Sequence, residues 1–80
     1  MTEQLKFRGR LAEKKMAEKK LRLRMEGLRS SIREFLDPFE DVVNLNTEVA
    51  TEQMIELAGL RIDLKETIDT IAALKKALGI

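Results

Sequence analysis

The chain contains no cysteine, histidine, tryptophan or tyrosine and only one proline. No apolar run approaches the ~20 residues that a membrane span requires. Each absence removes a class of chemistry. Without cysteine, neither disulfides nor thiolate metal sites can reinforce the core. Without histidine and cysteine, the common nucleophile–base pairs of acyl transfer and the usual zinc ligand sets cannot be assembled. The expectation is a non-enzyme with no catalytic, cofactor-binding or metal-ligating residues. The start Met1-Thr2-Glu3-Gln4 is polar, and charges recur every two or three residues after it, so this segment cannot supply the apolar centre of a signal peptide. A cytoplasmic protein without membrane partners is expected.

What is present is helical. Eighty residues accommodate one domain, spanning residues 1 to 80, with a marginal core. Charged residues make up 36%, but the 44% that are hydrophobic recur at helical spacing, which argues for a fold rather than disorder. Residues 1 to 36 carry eleven Lys/Arg against five Asp/Glu, whereas residues 37 to 80 carry four against nine. The charge therefore switches sign at Asp37-Pro38, between two segments rich in helix formers. Two helices of opposite charge joined by a short turn predict an all-α antiparallel hairpin.

The first helix is expected over about residues 3 to 36. Phe7, Leu11, Leu21, Met25, Leu28, Ile32 and Phe35 fall on alternating steps of three and four, the seam spacing of a coiled coil, interrupted by Lys14 and Glu18. The segment Leu11-Ala12-Glu13-Lys14-Lys15 is echoed by Met16-Ala17-Glu18-Lys19-Lys20, a five-residue repeat whose apolar members wind around the helix. Residues 37 to 46 form the turn. In it Asp37 can cap, Pro38 suits a first helical position, and residues 38 to 43 have room for one short helical turn. Asn46 or Thr47 then caps a second helix over about residues 47 to 78, with Gly79 as its stop. Its expected seam is Ala50, Leu57, Leu60, Leu64, Ile68, Ile71, Leu74 and Leu78.

Antiparallel pairing about the turn sets residue i near residue 83 minus i, give or take a few positions. Lys14, Lys15, Lys19 and Lys20 are then expected beside Asp63, Glu66 and Asp69, and Arg29 and Arg33 beside Glu48, Glu52 and Glu56. Such exposed pairs specify alignment, while the Leu/Ile seam supplies most of the stability. Phe35 and Phe39 bracket the turn and are expected to plug it.

A second stripe of small and apolar residues runs away from the seam. It includes Gly9, Ala12, Met16, Leu23, Gly27 and Ser30 on the first helix, and Ile55, Ala58, Gly59, Ile62, Ala72 and Ala73 on the second. Glycine inside a helix costs about 1 kcal/mol against alanine, and close approach of another backbone offsets that cost. Met16, Leu23, Gly27, Ile55, Gly59 and Ile62 are the expected oligomer interface. Because two helices make a poor core, a homo-oligomer is expected, preferably a dimer that forms a four-helix bundle.

The basic stretch Lys14, Lys15, Lys19, Lys20, Arg22 and Arg24 offers phosphate contacts. Glu13 and Glu18 interrupt it, no tyrosine or tryptophan is present to stack on bases, and the acidic helix supplies partners for its charge. The favoured function is therefore a structural or protein-interaction module. The alternative is a nucleic-acid-associated accessory protein that uses this basic arm. Glu48, Glu52 and Glu56 share a helical face but have no glycine-containing ligand loop around them, so they are assigned to ion pairing rather than to metal binding.

Met25-Glu26-Gly27-Leu28-Arg29-Ser30-Ser31-Ile32-Arg33-Glu34-Phe35-Leu36-Asp37-Pro38-Phe39-Glu40-Asp41, together with Leu64-Lys65-Glu66-Thr67-Ile68 and the ending Lys76-Ala77-Leu78-Gly79, resembles short helical proteins encoded in Mu-like prophages of bacteria. The likeness extends over residues 21 to 79. It implies a small phage-encoded cytoplasmic accessory protein and carries over no functional residues.

Overall fold

The computed structural model describes residues 2–80. Helix α1 covers Thr2–Phe35 and helix α2 covers Thr47–Leu78, with a short 3₁₀ turn at Val42–Asn44 between them. Among the described residues there is no strand. The two helices pack against each other as an antiparallel hairpin, a rod with extents of 62 × 14 × 14 Å.

Local chemistry explains the boundaries. The Leu36 N–H still donates to the Ile32 carbonyl at 3.0 Å, but proline at 38 disfavours helical backbone at the residue before it, and α1 ends. The Asp37 side chain then accepts the Phe39 N–H at 2.9 Å, closing an Asx turn. No helix begins at Pro38; the short helical turn falls later, at Val42–Asn44, where the Asp41 side chain accepts the Val43 N–H. Asn46 caps α2 by accepting the Val49 N–H at 3.3 Å. Gly79 ends it in the left-handed conformation at φ 73°. Its N–H reaches the Lys76 carbonyl, and the Ile80 N–H reaches that of Lys75, the paired bonds of a Schellman motif.

Burial follows one line on each helix. On α1, Phe7, Leu11, Lys14, Glu18, Leu21, Met25, Leu28, Ile32 and Phe35 are all buried or half-buried. On α2 the line runs Ala50, Gln53, Leu57, Leu60, Leu64, Thr67, Ile71, Leu74 and Leu78. Both lines alternate steps of three and four, so each heptad position keeps its place relative to the seam. Ile68 is a correction. It stays 38% exposed, because continuing the alternation from Leu64 puts the inward position on Thr67. The Thr67 hydroxyl donates to the Asp63 carbonyl at 2.8 Å and so needs no partner across the seam.

The core is thin and divided. Leu11, Ile71 and Leu74 form a buried cluster with Phe7 and Leu78 against it, while Leu28, Ile32 and Ala50 are the buried residues nearer the turn. Between these ends lie Lys14 and Glu18. Leu11 meets Ile71 and Leu74, and Arg24 meets Glu56, each within three positions of an 83-minus-i register.

Candidate interaction surfaces

A hairpin built on two straight heptad lines has two long flanks and two outer edges, and residue spacing assigns each side chain to one of them. Two shallow clefts identify one flank. Arg29, Met54, Ala58 and Arg61 line a cleft beside Met25 and Leu57, and Arg8, Ala12 and Lys15 line another beside Leu11 and Leu78. On the opposite flank Arg24, Glu52 and Glu56 border a cleft over Leu28 and Gln53.

The ion pairs respect this division. Among the described residues only Arg24 and Glu56 form an ion pair across the two helices, at 2.7 Å. Arg29 instead bonds Glu26 on its own helix, and Arg22 approaches Glu18 at 3.7 Å. The expected pairing of Arg29 and Arg33 with Glu48, Glu52 and Glu56 is not formed. The register places these groups at similar heights, but spacing puts Arg29 and Arg33 on one flank and Glu52 and Glu56 on the other. Nor does any ion pair join Lys14, Lys15, Lys19 or Lys20 to Asp63, Glu66 or Asp69 among the described residues. Lys14 is half-buried at the seam, and Lys15 and Lys19 lie on the flank away from Asp63 and Glu66.

Charge is consequently sorted by flank as well as by helix. Arg8, Lys15, Arg22 and Arg29 recur at steps of seven on one flank, with Lys19 and Arg33 in the adjoining row. The acidic helix adds Arg61, Lys65 and Lys75 on the same side. This flank thus holds nine cations and one carboxylate, Glu26, while the opposite flank holds four cations and seven carboxylates. Of the six residues expected to contact phosphate, Lys15, Lys19 and Arg22 belong to the basic flank. Lys20 and Arg24 lie on the other, and Arg24 is engaged by Glu56.

The outer edges carry large apolar residues at their centres. Met16 and Leu23 are seven residues apart on the side of α1 facing away from α2, and Leu23 is 77% exposed. Ile55 and Ile62 occupy the equivalent row of α2, with Ile55 70% exposed. Gly27 and Gly59 lie in the rows beside these edges, toward the mixed-charge flank. A methyl group built on either meets nothing within 4 Å. The hairpin itself therefore gives no steric reason for glycine at these positions.

Phe39 departs from its expected place. Phe35 is half-buried, but Phe39 is 95% exposed, so the turn has no aromatic plug. The Asx bond of Asp37 and the Asp41 cap set a turn that directs Phe39, Val42 and Val43 into solvent. The composition of the segment signalled a turn but not the direction of its side chains.

Among the described residues, no three carboxylates converge in a way that could hold a metal ion. No described helix is long and apolar enough to cross a membrane. No protein family model matches the chain, and no curated protein or solved structure matches it significantly.

Proposed function

We propose that this chain is a small non-enzymatic structural or interaction module of the cytoplasm that self-associates through helix packing, with two hairpins pairing as a four-helix bundle. The observation that carries this proposal is the pair of outer rows: Met16 and Leu23 on α1, Ile55 and Ile62 on α2, all exposed at heptad spacing on sides that the hairpin cannot cover. Fully burying one such side chain contributes roughly 1.5–3 kcal/mol, a substantial gain for a fold with six buried residues among those described.

Charge selects the face. Two copies of the basic flank repel each other, so a second hairpin that covers an outer row approaches it from the mixed-charge side, about a two-fold axis. The open space at Gly27 and Gly59 lies on that side, where a second backbone can approach. Through the likeness of residues 21 to 79 to short Mu-like prophage proteins, the proposal extends to a phage-encoded accessory role.

Light scattering at micromolar concentration tests this directly. The expected mass is twice the 9.2 kDa of one chain. A monomeric mass with full helicity overturns it.

A further inference from the structure

We infer that the basic flank is a binding site for the phosphate backbone of duplex DNA, built by both helices rather than by the N-terminal arm alone. The main observation is that the flank's charge is unmatched inside the molecule. Arg22 and Arg29 have carboxylate partners on their own helix; the other seven cations form no ion pair among the described residues. The acidic helix, although negative overall, puts Arg61, Lys65 and Lys75 on this same side, four of its six carboxylates, Glu52, Glu56, Asp63 and Glu66, on the other, and Glu48 and Asp69 on its outer edge. A surface that served only to balance α1 against α2 would place those carboxylates beside the α1 cations.

The dimensions suit a duplex. From Arg8 to Arg33 the rows extend about 38 Å along the rod at ~1.5 Å per residue, close to one turn of B-DNA at roughly 34–36 Å. Five of the nine cations are arginine, whose planar fork matches phosphate geometry.

Other polyanions fit less well. Single strands are held by aromatic stacking platforms, yet Phe7 and Phe35 lie half-buried in the seam and Phe39 sits at the turn. A membrane-surface helix inserts an apolar face flanked by its cations. Here Leu23, Ile55 and Ile62 lie on the outer edges, and the exposed apolar residues of the basic rows form no continuous face: Met54 and Ile68 alternate with Arg61 and Lys75, and Leu5 and Leu36 lie at opposite ends of the rod. The major groove, about 12 Å wide, admits a single helix, so a two-helix flank contacts the backbone without reading bases. Binding is therefore expected to show little sequence preference.

The test uses the intact chain with a duplex of about two helical turns, followed by fluorescence anisotropy between about 50 and 200 mM salt. Each phosphate contact contributes a slope of about −0.9 in log affinity against log salt, and the wild type is expected to show a slope steeper than about −4. Replacing Lys15, Arg22, Arg61 and Lys65 by glutamine should weaken binding by at least about 100-fold near 0.1 M salt and flatten the slope by about 3.6. The control replaces Lys6, Arg10, Lys20 and Lys76 by glutamine, the same change in net charge away from the basic flank, and should stay within about threefold of wild type after the long-range field is screened.

If the fourfold variant loses helicity, Arg61→Gln with Lys65→Gln carries the test, with an expected loss of about tenfold and a slope flattened by about 1.8. Equal losses in both fourfold sets would overturn the inference, since net charge alone would then account for binding. So would absence of duplex binding at about 50 mM salt. Tighter, flank-dependent binding to phosphatidylserine vesicles than to duplex would assign the surface to a membrane instead.

Discussion

Arg24 on α1 donates from Nη2 to both carboxylate oxygens of Glu56 on α2, at 2.8 and 2.7 Å. The pair spans the mixed-charge flank and helps set which sides of the two helices meet. Both side chains remain substantially exposed, so solvent screens the attraction and the geometry contributes more to alignment than to stability. A double-mutant cycle with Arg24→Ala and Glu56→Ala is expected to give a coupling energy of about 0.2–1 kcal/mol by chemical denaturation. The parallel cycle with Arg29→Ala and Glu56→Ala should give none. Coupling in the second cycle alone would place Arg29 on the wrong flank.

Gln53 occupies an inward position on α2 beside Leu28, and its Oε1 is buried without a hydrogen-bond partner. An unsatisfied buried carbonyl costs about 1–3 kcal/mol, and a leucine of similar volume removes that cost. Gln53→Leu is expected to raise stability by roughly 1 kcal/mol, which for a domain of this size is about 4–8 °C in Tm. An unchanged or lower Tm would mean that the amide is satisfied in solution.

The helices and most of their alternating spacing were legible in the residues, because Leu, Ile and Phe at steps of three and four mark a seam. The polar seam members were not. Gln53 and Thr67 carry no apolar signal, and Ile68 next to Thr67 drew the α2 line one residue off its true position. Register was also legible in height but not in side. An 83-minus-i register gives how far along the rod two residues lie, yet not whether they flank the seam on the same face, so it sets Arg29 level with Glu56, which Arg24 reaches instead. The sorting of charge between flanks becomes visible only once the inward positions are assigned. It was present in the steps of seven from Arg8 to Arg29.

The turn gives a further prediction. Phe39 makes no plug, and a surface substitution away from packing usually stays within about 0.5 kcal/mol. Phe39→Ser is therefore expected to leave the thermal midpoint of the monomer nearly unchanged, while Phe35→Ser, at a half-buried seam position, should lower it clearly. Circular dichroism melts at low concentration measure both. A large loss at Phe39 would show that the turn closes over it in solution.

Seam and outer edge make opposite demands on leucine. Leu11 is 6% exposed within the cluster of Ile71 and Leu74, so Leu11→Ala leaves a cavity and should cost at least about 2 kcal/mol at any protein concentration. Leu23 touches no partner helix in the hairpin, and Leu23→Ala should change the stability of a single hairpin by less than about 0.5 kcal/mol. Its effect is expected in association: a self-associating protein has a Tm that rises with concentration by mass action, and removing the outer row should flatten that rise. Gly59→Leu separates the two contributions further. Leucine is the better helix former by up to about 1 kcal/mol, and the space around Gly59 is open, so a single hairpin should gain stability. The same side chain obstructs a second backbone on that side and should shift the mass toward monomer. A Gly59→Leu protein that keeps the concentration dependence of the wild type would move the interface to another face, and equal losses for Leu11→Ala and Leu23→Ala in the monomer would contradict the assignment of the seam.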